Sequence, residues 1–248
     1  MQPTCEMGTN RRRYAAVLLA LGLSLQMAAA SRSGVAQKLH SASGQLIVIG
    51  FMGGNVSGGN LVHREALVAR DLQRLYPLDI HAAVYANSDW KSALRTVLEH
   101  LDAKGTGRPS EQEKNAARIV IYGHSWGASE AVTLARRLNQ LGIPVLLTIQ
   151  IDSVEKLNEN DGSIPPNVRE AVNFYESEGL LHGRSSIRAM DPKQTTILGN
   201  YEMSYREHPV SCAGYPWFAR TFMKPHIEIE NDPAVWERIV ALIQTKVM

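Results

Sequence analysis

A mostly parallel α/β sheet flanked by helices is the fold class that three features of this 248-residue sequence predict. Short apolar, β-branched runs alternate with amphipathic stretches, the pattern of strand–helix–strand crossovers. A Gly-x-Ser-x-Gly sequence stands between one such run and the helical stretch after it. Residues 233–247 read as a terminal amphipathic helix. A chain of this length forms one domain with a sizeable core.

Residues 45–51, ending in Gly50-Phe51, form the first predicted strand. Between residues 61 and 76, Leu61, Ala66, Leu67, Leu72 and Leu75 recur near helical spacing, and Pro77 ends the pattern. Residues 80–86 follow as a second strand and 90–101 as a second helix, with Asn87, Ser88 and Asp89 as caps. Residues 102–117 are polar and turn-forming, a surface connector with room for a short helix. Residues 118–122 predict a third strand, 128–141 a helix closed by Gly142 and Pro144, and 145–151 a fourth strand. Beyond Asp152 the pattern weakens into an irregular, cap-like region, with short strands expected at 171–175 and 195–198.

The first thirty residues have the order of a signal peptide: Arg11-Arg12-Arg13, an apolar run, then Ala28-Ala29-Ala30. The run is too short to span a bilayer, so cleavage near Ala30 and export to the periplasm or the extracellular space are expected. The arginines followed by Tyr14 also resemble a twin-arginine signal, though Ala15 and Ala16 depart from it. Cleavage removes Cys5 and leaves Cys212 as the one remaining cysteine, with no intramolecular disulfide. The full chain carries 26 basic and 24 acidic residues, and cleavage leaves 23 of each. Such a balance has no field to attract nucleic acid, which is excluded as a partner.

Gly123-His124-Ser125-Trp126-Gly127 fits G-x-S-x-G directly after a strand and before a helix, the context a nucleophile elbow requires. The turn lifts Ser125 off the sheet, and the helix N-terminus faces developing negative charge. Oxyanion donors are expected from the backbone N–H of Trp126 and from that of Phe51 or Met52, in the loop Gly50-Phe51-Met52-Gly53-Gly54. That loop has neither G-x-G-x-x-G nor the P-loop spacing, which argues against nucleotide binding. There is no H-E-x-x-H or paired-cysteine spacing for a metal.

The glycine loop, the elbow and a late Pro225-His226 resemble the lipase, esterase and thioesterase side of the α/β-hydrolase superfamily, over roughly residues 45–248. The resemblance implies a Ser-acid-His order, no metal and no organic cofactor. It points to His226 as the base, ahead of His182 and His208, because His226 lies just before the terminal helix. The acid is expected at a strand end. Asp152 satisfies this; Glu176 or Glu178 would, if the acid came one strand later, and Asp191 is more distant. The expected reaction is hydrolysis of a small-molecule or lipid carboxylic ester through an acyl-enzyme on Ser125. The alternatives are a thioesterase with the same triad and a non-catalytic binding protein on the same fold; peptide hydrolysis also stays open. Within 161–224, Phe174, Tyr175, Tyr201, Tyr205, Tyr215, Trp217 and Phe218 are expected either to build a partial lid for an apolar acyl chain or to form a small second core.

Overall fold

The computed structural model describes residues 44–157 and 159–247, so the signal-peptide expectation for residues 1–30, Cys5 included, lies outside the described residues. Six strands form one parallel sheet in the order β2-β1-β3-β4-β6-β8. They are β1 (Leu46–Phe51), β2 (Ile80–Tyr85), β3 (Ile119–His124), β4 (Val145–Ile151), β6 (Val168–Glu176) and β8 (Thr196–Met203). β5 (Ser163–Ile164) and β7 (Arg188–Ala189) pair as a small separate parallel ladder. This is the mostly parallel, helix-flanked sheet expected.

Alternation along the strands divides the core in two, because successive side chains leave a strand on opposite faces. Ile47, Ile49 and Phe51 of β1 join Ile119 and Ile121 of β3 on one face. There they pack against α2 (Trp90–Leu101) and α4 (Trp126–Gln140) through Ala93, Val97, Ala131 and Leu134. Leu46 and Val48 join Val120 and Tyr122 on the other face. α1 (Arg64–Leu75) and α7 (Pro233–Gln244) cover it through Val68, Leu72, Trp236 and Ile239. Apolar runs with no polar alternation are what strands covered on both faces require.

Local signals set the helix ends. Asp89 caps α2 by accepting the Ser92 N–H. Ser110 and Glu113 form a reciprocal capping box on α3 (Glu111–Asn115), the short helix inside the connector. Asp232 caps α7 with Pro233 in its first turn.

Three boundaries differ from expectation. α4 begins at Trp126 rather than at residue 128, because Ser125 itself is the residue before the helix. β6 and β8 are longer than the short strands expected, so the region read as irregular supplies two of the six sheet strands. The Pro225-His226 segment is not a lead into the terminal helix but a helix of its own, α6 (Lys224–Asn231), preceded by α5 (Trp217–Phe222). No helix among the described residues is long and apolar enough to cross a membrane.

Candidate active site

β3 ends at His124 and α4 starts at Trp126, so Ser125 alone makes the turn, at φ 55° and ψ −125°. Its N–H is fixed by the Ile151 carbonyl of β4 at 2.9 Å. Close approach demands glycine on both sides. A Cβ on Gly123 would stand 2.4 Å from the Gly127 carbonyl, and one on Gly127 would stand 2.3 Å from the Phe51 oxygen. The elbow therefore seats directly on the end of β1.

α6 brings His226 over the serine. Its Nε2 lies 2.9 Å from Ser125 Oγ, and its Nδ1 lies 2.6 Å from Asp152 Oδ2. With the proton on Nδ1 donated to the carboxylate, Nε2 presents its lone pair to the hydroxyl. All three side chains are buried.

Asp152 is the first residue past β4 and holds a left-handed backbone, φ 45°. Its second oxygen accepts the backbone N–H groups of Gly183 at 2.8 Å and Glu176 at 3.1 Å. Those donors orient the carboxylate without competing for the oxygen that faces the imidazole. Glu176 and Glu178 stand elsewhere. The Glu176 carboxyl, raised above the usual range by burial and by the neighbouring Asp152, accepts the N–H groups of Glu178 and Gly179. Glu178 accepts the Tyr205 N–H at 3.1 Å. Asp191 accepts the Lys193 N–H at 3.0 Å within a turn. His182 and His208 are exposed.

Of the expected oxyanion donors, Trp126 opens α4, where helix geometry leaves the first N–H groups unused. Phe51 and Met52 are corrected. Phe51 is inside the β1 ladder, paired with Tyr85 and Gly123, and the Met52 N–H donates to the Tyr85 carbonyl at 2.9 Å. The sheet takes the donors at these positions, which leaves the Gly53–Gly54 segment to face the serine.

A cavity of about 690 Å³ opens over Ser125 and His226. Its walls are mainly apolar: Val56 and Val62 from the glycine loop side, Val154, Leu181, and Phe218 and Ala219 of α5. Of the aromatic residues expected to cover the site, Tyr215 and Phe218 line this cavity. Phe174 and Tyr201 instead stack in the sheet core at 5.5 Å between centroids, and Tyr205 hydrogen-bonds Asp232 at 3.0 Å.

Behind Ser125, His226 and Asp152 lies a polar cluster that the sequence reading missed. Glu65 of α1 and Glu230 of α6 are both buried, and His63 Nδ1 lies 2.6 Å from Glu230 Oε1. His124 stands between them and His226: its Nε2 is 3.0 Å from the His226 carbonyl and its Nδ1 3.2 Å from Glu230 Oε2. Two signals were present. Glu65 shares the stripe of Val68, Ala69 and Leu72, a charge in an apolar face, and Glu230 follows His226 by one helical turn.

No family model matches the chain, and no curated protein matches it. Among solved structures it is similar to RedJ, a thioesterase from the prodiginine biosynthetic pathway in Streptomyces coelicolor. Identity is 10% and the TM-score 0.45, over 83% of this chain and 87% of that one. A fungal esterase from Rhizomucor miehei is similar at 12% identity and a TM-score of 0.41, over 82% of this chain and 74% of that one. A dienelactone hydrolase-like promiscuous phosphotriesterase from metagenomic libraries is similar at 14% identity and a TM-score of 0.39, over 82% and 87%.

Proposed function

We propose that the chain is a serine hydrolase that cleaves carboxylic esters with an apolar acyl group, through an acyl-enzyme on Ser125. The observation that carries this reading is the unbroken relay Asp152–His226–Ser125, at 2.6 and 2.9 Å, whose Ser125 and His226 line an apolar cavity.

The chemistry follows from the geometry. As Ser125 Oγ attacks the ester carbonyl, its proton passes to His226 Nε2. Asp152 keeps the imidazole in the tautomer that accepts the proton and stabilises the cation that forms. The proton then goes to the departing alkoxide. Water, deprotonated by the same nitrogen, releases the acid and restores the serine. Negative charge on the carbonyl oxygen is met by the Trp126 N–H at the start of α4 and by the N–H of Gly54, that of Gly53 being engaged by Glu65; one such donor is worth about 10²–10³ in rate.

The test is hydrolysis of p-nitrophenyl esters together with fluorophosphonate labelling, each compared with Ser125→Ala. The reading expects both to vanish in the variant. Turnover that survives in Ser125→Ala, or a folded protein that neither labels nor hydrolyses any ester, overturns it.

A further inference from the structure

The glycine loop that faces Ser125 is held by two side chains: Asn87 Nδ2 donates to the Gly54 carbonyl, and Glu65 takes the Gly53 N–H. The Gly53 N–H donates to Glu65 Oε1 at 3.3 Å, and Glu65 is fully buried at the start of α1. Room at this point is tight: a Cβ on Gly53 would stand 2.8 Å from His124 Nδ1 and 3.3 Å from Ser125 Cβ. Any shift of the loop is felt at the nucleophile. The other Glu65 oxygen, Oε2, is buried with no donor among the described residues. An ionised carboxylate in that position is costly. A neutral acid avoids that cost, and the Glu230 carboxyl, with an oxygen within 4.8 Å, stands ready to take its proton.

Glu230 suits that role. It accepts from His63 and carries Tyr215 close by, the Tyr215 hydroxyl lying 3.2 Å from His63 Nδ1. It also sits one turn after His226 on the same helix. Burial, then the Glu230 charge, push the Glu65 carboxyl well above the usual range, whereas the histidines and Tyr215 hold Glu230 low against its burial.

We propose that Glu65 is a positioning residue for the reaction at Ser125: backed by Glu230, its carboxyl fixes the Gly53 N–H and so sets the glycine loop at the distance the oxyanion requires. The inference rests on the serine hydrolase reading. Glu65 touches no substrate; it acts through the loop, while Glu230 ties the same cluster to the helix that carries the base. The competing occupant is a divalent cation, since His63, Glu65 and Glu230 offer ligand-type atoms within 4.8 Å of one another. The 2.6 Å between His63 Nδ1 and Glu230 Oε1 favours a hydrogen bond. Tetrahedral ligands around zinc stand about 3.3 Å apart.

Two variants separate length from charge. Glu65→Gln keeps the reach, an acceptor for Gly53 and a donor for Glu230. Glu65→Asp keeps the acid but withdraws it by about 1.5 Å, one carbon–carbon bond. Ester turnover, the rate of fluorophosphonate labelling, thermal unfolding and metal content of the purified protein are measured for both and for Ser125→Ala. The expected result is kcat for Glu65→Gln within about threefold of wild type, and a loss of about tenfold to a hundredfold for Glu65→Asp with KM within about twofold. The labelling rate is expected to fall in parallel. Wild-type kcat in Glu65→Asp, or equal impairment in Glu65→Gln, overturns the proposal. A stoichiometric metal ion that leaves with the Gln substitution also overturns it, in favour of a cation site. Activity retained by Ser125→Ala sinks the hydrolase reading and this one with it. An inactive Ser125→Ala beside a fully active Glu65→Asp sinks this one alone.

Discussion

Ser125 and Asp152 follow directly on neighbouring strands, β3 and β4, and both hold a left-handed backbone, with φ 55° and 45°. They are the non-glycine residues with positive φ among those described. A hydrogen bond from Ser125 N–H to the Ile151 carbonyl, one residue before Asp152, couples the two turns. Such conformations cost about 1–3 kcal/mol each and persist where the surroundings over-determine them. Here the surroundings are the sheet on one side and His226 on the other. The strain places two side chains above the strand ends, at the spacing one imidazole can bridge.

Asp152→Asn is therefore expected to lower kcat by as much as about 10⁴-fold, because the amide no longer enforces the Nδ1–H tautomer of His226. Asparagine tolerates the left-handed backbone, so the thermal midpoint should stay close to wild type. Glu176→Gln and Glu178→Gln, whose side chains accept backbone N–H groups of nearby turns, should stay within about tenfold, the scale of lost positioning rather than lost chemistry. Steady-state ester hydrolysis ranks the three; a glutamate variant that alone abolishes turnover would return the acid to β6.

The cavity dictates a chain-length profile. Each methylene that moves from water to the apolar wall gains about 0.8 kcal/mol, or roughly fourfold in kcat/KM. Rates on p-nitrophenyl esters should climb from acetate until the roughly 690 Å³ is filled, then level off. Ala219 faces this space from α5. Ala219→Phe should leave acetate hydrolysis near wild type and remove the gain for longer chains. A flat profile in wild type, or an equal loss on all esters in the variant, would show that the acyl group binds elsewhere.

The sheet, and the meeting of Ser125, His226 and Asp152 at its strand ends, were legible because each rests on a local rule. Uniformly apolar strands, helical stripes between them and a G-x-S-x-G at a strand end need no knowledge of distant contacts. Asp152 was readable from its place after β4, although nothing local separated it from Glu176; the Gly183 N–H that orients it arrives from 31 residues away. The expectation that Phe51 or Met52 offers an N–H failed for a related reason. Whether Met52 keeps a free N–H depends on how far the β1–β2 ladder runs, and it runs to Tyr85. The Glu65–Glu230 cluster joins α1 to α6 across the sequence, and only folding brings the two carboxyls together.

Cys212 should be a slow nucleophile. It is buried beside Tyr215, Ala219 and Ile227, and burial together with the charges of Glu228 and Glu230 pushes its thiol up to about 11. At about pH 8, alkylation should lag a free cysteine by roughly two orders of magnitude, since the thiolate is the reacting form. Timed iodoacetamide labelling of folded and denatured protein measures the ratio. Equal rates would mean that the α5–α6 segment opens readily and leaves the thiol exposed.

Glu65 also makes a prediction for stability against pH. Its folded-state pKa lies well above the ordinary glutamate value, through burial first and the Glu230 charge second. The folded chain thus holds a proton that the unfolded chain releases. Its contribution to stability is complete below the unfolded pKa and is lost as pH rises through the folded one, with a slope of at most about 1.4 kcal/mol per pH unit. Glu130, Glu176 and Glu228 are raised as well, so the wild-type curve alone mixes several groups. The difference between wild type and Glu65→Gln isolates one. Urea unfolding from about pH 5 to about pH 9 should show Glu65→Gln gaining on wild type as pH rises. A constant difference across that range would place an ionised carboxylate at Glu65 and remove the reason for its partnership with Glu230.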